Sequence, residues 1–547
     1  MRQRYLDFVR KQILGSDLLF QAPYGLRNMF YADYTASGRG LRFIEEKLLR
    51  IQKSYANTHT EDDYSGKYLT DLYHQAEARI KSLVNAGEHG KIFSVGSGST
   101  GALKKLQEII GVYVPPLTRE RLGLLRSETL APVVFIGPYE HHTNELMWRE
   151  SLAEVVVVRL SGRGGLDLAD LEEKVSASRF SSRVKFGSFS AGSNITGVKT
   201  PVYDVARICH RHKAAVFFDF AAVAPYAEID MNKDLESYFD ALFFSPHKFL
   251  GGPGSSGILV IHERLYRKDL PPTTAGGGTV VYVGFDGHDY AEDIEIRETA
   301  GTPPILQTIK AALAMEVKEK IGAARIDRIE KENLSLFLAG LRKMPAVRLV
   351  GPYNTPDLTP IVSFNIAHRD RILHPKFVTK LLNDLFGIQS RAGCSCAGPY
   401  GHLLLGIETE TSGRLRRLIG QGRQGIKPGW VRLNIHYTFD RGDIDFLLKA
   451  VEFAAESGHL FLRDYSFDWR TGEWRHLGFK EKGPELSLEN DFRTRSVDLS
   501  RKASFRAAYF REARRLASRL GKTPPLEFRK DSAEIEDLKY FYYVHPA

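Results

Sequence analysis

The stretch "ALFFSPHKFLGGPGSSGILV" (residues 241–260) sets one lysine, Lys248, in a run almost without charge. Residues 241–244 before it and 257–260 after it read as buried strands, short apolar runs bounded by Gly and Pro. A lysine beside a core is costly unless its charge is paired or removed. Lys248 therefore asks for a chemical role. A buried lysine can lose its proton and act as a nucleophile, or be consumed as a Schiff base with a carbonyl cofactor. Snorkelling to the surface is the plain alternative.

Three neighbouring stretches bear on that choice. "VFFDFAAVAPY" (216–226) places Asp219 at the end of an apolar strand. A carboxylate there wants a cationic partner, which a protonated pyridine nitrogen would supply; taken alone, Asp219 reads equally well as a helix N-cap. "SVGSGSTGALKKL" (94–106) sets Gly96, Gly98, Ser99, Thr100 and Gly101 between a strand and a helix. Backbone N–H groups and hydroxyls in such a loop can cradle a phosphate, although neither the Walker A nor the Rossmann fingerprint is present. "GPYEHHTNELMW" (137–148) sets His141 and His142 just after a strand, where an imidazole could stack on a planar cofactor or move protons. No Cys, His and carboxylate set with ligand spacing accompanies them, so no metal is expected.

Residues 91–95, 132–137, 154–160, 184–190 and 214–220 read as near-continuous apolar strands. Helix-like stretches such as "DLADLEEKVSASR" and "VYDVARICHRHK" lie between several of them. That alternation implies an α/β fold, a mostly parallel sheet covered on both faces. Residues 303–345 are a charged helical passage, and strands and helices then mix as in a smaller α+β domain. Beyond about residue 457 come a hairpin-like "YSFDWRTGEWRHLGF" and a basic helix. The expected organisation is an N-terminal segment (1–30) packing with the small domain, a large domain (31–302), a small domain (303–456) and a C-terminal extension (457–547).

The 547 residues are 43% hydrophobic and 26% charged, an ordinary balance for a soluble globular protein. Three cysteines, Cys209, Cys394 and Cys396, imply no disulfide framework and point to a reducing compartment. The start lacks the apolar core of a secretory signal, and no run approaches the roughly 18 apolar residues of a membrane span. A cytoplasmic location is the expectation. Most of the net charge of +10 sits in residues 493–522, where ten Arg and Lys face Asp498 and Glu512, a net of +8. Phe505, Tyr509, Leu516 and Leu520 recur there at helical spacing. They describe an amphipathic helix docked on the body with its basic face in water, and nucleic acid is not expected as a partner.

The order of these pieces (phosphate loop, histidine, acidic strand end, lysine) resembles the class V aminotransferase group of fold type I pyridoxal phosphate enzymes, especially cysteine desulfurases and selenocysteine lyases. The resemblance covers roughly residues 30–455, and "SPHK" (245–248) is its sharpest element. It implies a seven-stranded, mostly parallel sheet and makes Lys248 the Schiff-base lysine. Ser245, His247, Ser99 and Thr100 would bind the cofactor phosphate. His141 would stack on the ring, Asp219 would hold its nitrogen protonated, and Asn194 would contact its phenolic oxygen. The segments around "GGGTV" (276–280) and "ETAGTPP" (298–304), Thr302 among them, resemble those reaching a neighbouring subunit's phosphate, which implies a homodimer with shared sites.

Two more segments bear on the reaction. In this family an arginine at the position of Arg432 clamps the substrate's α-carboxylate, and Asn57 is likewise assigned to substrate binding by resemblance. "RAGCSCA" (391–397) is similar to the run that carries the sulfur-accepting cysteine, which makes Cys396 the persulfide nucleophile. The implied activity is removal of sulfur or selenium from L-cysteine or a related amino acid, leaving alanine, with a sulfur-acceptor protein as partner. The "GCSC" pairing with Cys394 also resembles molybdenum cofactor sulfurases. A class V aminotransferase, epimerase or C–S lyase that does not use Cys396 is the other reading. The chain departs from the desulfurase pattern at Ala222, where Gln is usual, and the C-terminal extension has no counterpart in the compact desulfurases.

Overall fold

The computed structural model describes residues 2–58, 60, 62–124, 131–355, 357–481, 483–490 and 492–547. It divides into two compact units.

Unit 1 comprises residues 1–13, 35–328 and 355–359. Its centre is a seven-stranded sheet built from β1 (Gly90–Val95), β2 (Val133–Ile136), β3 (Glu154–Val157), β4 (Lys185–Ser190), β5 (Ala214–Asp219), β6 (Ala241–Phe244) and β7 (Gly257–His262). The spatial order is β1-β7-β6-β5-β4-β2-β3. Strands β3, β2, β4, β5 and β6 pair in parallel. Only β7 runs the other way, antiparallel to both β6 and β1. The central strands are buried along almost their whole length, which is why they read as continuous apolar runs rather than alternating ones. Phe93, Leu103, Leu106, Trp148, Phe217 and Leu259 meet in the core. Four helices follow strands of the sheet: α1 (Ser99–Ile109), α2 (His142–Arg149), α3 (Leu168–Ser176) and α4 (Val202–Arg211).

Unit 2 comprises residues 14–34, 329–354 and 360–547. Its main sheet is antiparallel, in the order β8 (Val347–Leu349), β9 (Ile361–His368), β11 (Trp430–Asn434), β10 (Arg391–Gly393). The 465–476 segment forms the expected hairpin, Tyr465–Phe467 against Trp474–His476, and the chain's last strand, His545–Pro546, pairs with its first arm. Phe467, Trp474 and Phe541 pack there with ring centroids 4.9 to 6.4 Å apart. The basic helix spans Lys502–Leu520 and buries Tyr509, Ala513, Leu516 and Leu520. Its cations divide by location. Lys502 and Arg506 bond to Asp443 at the start of the helix Arg441–Ser457, whereas Arg511, Arg514, Arg515 and Arg519 face solvent.

The domain boundaries differ from those read in the sequence. Residues 1–13 join unit 1, because the helix Arg2–Gln12 packs on the helix Ile305–Ile321; only residues 14–30 go with unit 2. The first boundary falls after Arg328, inside the helix Ala323–Leu341, rather than at 302/303. The extension does not stand apart. Arg27 donates to the Leu385 carbonyl (2.7 Å) and to Glu512 (3.0 Å), and its guanidinium lies over Tyr509, so residues 14–34 and the basic helix are packed into one body.

Candidate active site

In an open α/β sheet, ligands bind beyond the carboxyl ends of the parallel strands. In unit 1 these ends deliver His141 after β2, Asn194 after β4, Asp219 on β5 and the Ser245–Lys248 turn after β6. The loop 96–98 leaves β1 and opens α1.

The Ser-Pro-His-Lys turn is a single 3₁₀ turn, Pro246–Lys248. Lys248 is not sealed in the core as its apolar flanks suggest; it is half-buried, because the strand ends at Phe244 and the turn carries the lysine outward. Two glycines make room for this turn. A Cβ on Gly38 would overlap the Phe249 carbonyl oxygen, and one on Gly252 would overlap that of Pro246. Ser37 Oγ and Gly38 N–H both donate to the His247 carbonyl, at 3.1 and 2.9 Å. Burial, with the neighbouring Lys248 charge, pushes the His247 imidazole down to about 4, so the ring is neutral near pH 7.

Beside this turn the N-terminus of α1 forms a cradle. Ser99 N–H donates to Ser245 Oγ (2.8 Å), and Ser245 Oγ donates to Ser99 Oγ (3.2 Å). A Cβ on Gly98 would stand 2.9 Å from Ser245 Oγ and 3.6 Å from His247 Nε2, so only glycine lets these groups converge on the first turn of the helix. Such convergence of N–H and O–H donors suits a phosphate. Thr100 Oγ1 lies 2.9 Å from Thr143 Oγ1, which links the cradle to the start of α2. His141 caps α2: its Nδ1 accepts from Thr143 N–H (3.2 Å), which leaves the neutral ring's proton on Nε2.

Asp219 is 4% exposed and accepts from Ala221 N–H at 2.9 Å. Burial holds its carboxyl above the usual range, opposed by the Ala221 bond and by the charge of Lys248. A dry carboxylate of this kind fits a protonated pyridine nitrogen, and the cradle fits the phosphate of the same group. Ala222 is buried and offers no side-chain donor. Next to Asp219 lies a group the sequence reading passed over. Glu140 accepts from Gly137 N–H (3.0 Å), Ser190 Oγ (2.6 Å) and Asn144 Nδ2 (2.6 Å). Burial, with some repulsion from Asp219, pushes it up to about 7.

Asn57 and Thr302, both exposed, hydrogen-bond each other at 3.1 Å; neither bonds to a cradle residue. Unit 2 carries the remaining residues. Arg432 on β11 is buried and donates to Asp33 Oδ1 at 3.0 Å, while Arg391 Nε donates to Asp33 Oδ2 at 2.9 Å. Cys396 is exposed and Cys394 half-buried, in the turn between β10 and the helix Gly398–Leu405. Ser395 and Cys396 both adopt left-handed backbone, φ 51° and 58°, which costs roughly 1–2 kcal/mol per residue away from glycine. Burial works against the Arg432 charge, Asp33 favours it most, and Cys396 adds a smaller favourable interaction. Asp33 and Ser37-Gly38 are the site residues missed from sequence. The available signal was the run of small and polar residues "ADYTASG" (32–38), short enough to pass close to other backbone.

A doubly wound sheet with a glycine-opened helix N-terminus, a buried acid and a lysine at its carboxyl edge is the architecture of fold type I pyridoxal phosphate enzymes. Solved structures agree: an apo cysteine desulfurase from Thermococcus onnurineus superposes with a TM-score of 0.64 at 24% identity, covering 82% of this chain and 98% of the other. The cysteine desulfurase CsdA of Escherichia coli, in an S-sulfonic acid form, gives 0.62 at 21% identity over the same shares. The family model described as Aminotransferase class-V matches residues 31–445, and the chain belongs to that family. Among curated relatives, a probable cysteine desulfurase of Pyrococcus abyssi is 32% identical over 379 residues, 68% of this chain and 86% of its own. One from Halalkalibacterium halodurans is 28% identical over 376 residues, 68% and 84%. No described helix is long and apolar enough to cross a membrane.

Proposed function

We propose that this chain is a pyridoxal phosphate-dependent cysteine desulfurase whose sulfur acceptor is Cys396. The observation that carries the reading is the placement of Cys396: an exposed thiol on a strained turn, within electrostatic reach of the buried Arg432. The thiolate is the form that attacks sulfur, and an exposed thiol is open to a substrate.

The residues divide the work. Ser99, Thr100, Ser245 and His247 hold the cofactor phosphate at the start of α1, with His247 as a neutral donor. Asp219 holds the ring nitrogen's proton, and His141 presents its ring face. Asn194 is placed by resemblance on the phenolic oxygen. When bound, pyridoxal phosphate supplies the electron sink that weakens bonds at the α-carbon of an amino acid. Lys248 contributes its amine from the half-buried turn and moves the proton at the α-carbon. Arg432 takes the substrate's α-carboxylate, a planar fork matched to a planar anion, and Asn57 adds a substrate contact. Cys396 thiolate bonds to the substrate's sulfur, the carbon–sulfur bond breaks, and alanine is the co-product. A homodimer in which Thr302 serves the partner's phosphate, a sulfur-acceptor protein and a cytoplasmic setting complete the reading.

Incubating the holoenzyme with L-cysteine should yield sulfide and alanine, and Cys396→Ala should abolish sulfur release. Ala222 in the place of Gln favours the second reading, a class V enzyme that does not use Cys396. Equal turnover by wild type and Cys396→Ala would decide for it.

A further inference from the structure

Arg391 and Arg432 occupy directly opposed positions in the antiparallel pairing of β10 with β11. Like charges at such a pair repel. Asp33 lies across both, one carboxylate oxygen on each guanidinium, at 2.9 and 3.0 Å. Its backbone is fixed from two sides. Phe30–Tyr31 pairs in parallel with Ile388–Gln389, just before β10, and Ala32 accepts from Asn434 N–H at the end of β11 (2.9 Å). The carboxylate is therefore delivered to one place by the same strands that carry the arginines.

One carboxylate is shared by two guanidinium groups. Burial works against the charge on Arg432, Asp33 opposes that, and Arg391 adds to it. Arg432's side chain is 4% exposed and Arg391's 50%. Arg391 commits only Nε to Asp33; among the described residues its two Nη groups make no hydrogen bond. Cys396 interacts electrostatically with Arg432.

We propose that Asp33 is a positioning residue, whose carboxylate aims Arg391 and Arg432 as one fork for the α-carboxylate of the amino-acid substrate. The substrate assignment rests on the function proposed above; the fork itself is an anion site whatever the substrate. Asp33 acts through the arginines and does not touch the reacting atoms. Without it, the buried Arg432 loses its counter-charge and the two cations, standing opposite each other, turn apart.

The test compares alkylation of Cys396 by iodoacetate, which carries a carboxylate, with alkylation by iodoacetamide, which does not. Rates are read at Cys396 by mass spectrometry on the holoenzyme. An aimed fork recruits the anionic reagent, so the ratio of the two rates reports the fork and cancels general changes in thiol exposure. Asp33→Ala should lower the ratio about tenfold, the scale of one lost charge-assisted contact. Asp33→Asn, which keeps the shape and one acceptor, should lower it less. KM for L-cysteine should rise in the same order, with kcat less affected. An unchanged ratio in both variants overturns the proposal. So does a raised ratio, since Asp33 would then only damp the positive charge. A wild-type enzyme that releases no sulfide from L-cysteine refutes the desulfurase reading, while the alkylation ratio still decides the role of Asp33.

Discussion

Gly98→Ala tests whether the first turn of α1 is the phosphate cradle. The added Cβ would stand 2.9 Å from Ser245 Oγ, closer than such atoms pack, and the hydroxyl must move. Ser245 then gives up its place against Ser99 N–H, now a 2.8 Å bond, and His247 Nε2 at 3.6 Å is crowded from the same side. Two donors to a bound phosphate are lost or misdirected. Hydrogen bonds to charged groups contribute about 1.5–3 kcal/mol each, so the loss is about 3–6 kcal/mol, or about 10²–10⁴ in cofactor affinity. The stability cost is small, because Gly98 is the extended N-cap of α1 (φ −179°), a conformation open to alanine. The assay is titration of the cofactor-free protein with pyridoxal phosphate, followed by visible absorbance, with the thermal midpoint as control. A variant that binds the cofactor as tightly as wild type, at unchanged stability, would refute the cradle.

Glu140 predicts a pH dependence of stability. Its carboxyl is held near 7 when folded and at its ordinary value of 4.5 when unfolded, so its contribution is complete below about pH 4.5 and is lost as pH rises through about 7. Glu140→Gln does not titrate; relative to it, wild type should lose about 2–4 kcal/mol between pH 4.5 and 8, measured by urea unfolding. Parallel curves for the two proteins would count against the buried acid. Phe541 is fully buried against Phe467 and Trp474, and Phe541→Ala should cost about 3–5 kcal/mol in unit 2, read by calorimetry. A midpoint within a degree of wild type would mean that the C-terminal segment is not part of that core.

The parallel sheet was legible because burial on both faces writes itself as unbroken apolar runs, as at residues 214–219 and 241–244. The cradle was legible because a strand, a glycine-rich loop and a helix follow one another within "SVGSGSTGALKKL". What could not be read were contacts set by pairing across long separations. Asp33 lies 358 residues before Arg391 and 399 before Arg432, and no local spacing links them. Glu140 was hidden by its neighbour: the histidines of "EHH" drew the chemistry, while the acid's burial depends on Ser190 of a different strand. The end of the small domain was misjudged for the same reason, since Tyr509 and Phe541 find their partners in residues 27–28 and 467–474. Lys248 was placed too deep because apolar flanks fix where strands lie, not how far a 3₁₀ turn carries the residue beyond them.

The contact of residues 14–34 with the far end of the chain sets an order for biosynthesis. At about 5–20 residues per second, the 399 residues between Asp33 and Arg432 take about 20–80 s to appear. Unit 1 contains no residue beyond 359 and can complete its sheet while translation continues. The segment that carries Asp33 must wait, its apolar residues Leu18, Leu19, Phe20 and Phe30 without their final cover, until the rest of unit 2 emerges. The anion fork is thus assembled only once residue 432 has been made, and a nascent chain halted before it would carry the lysine and its cradle without the fork.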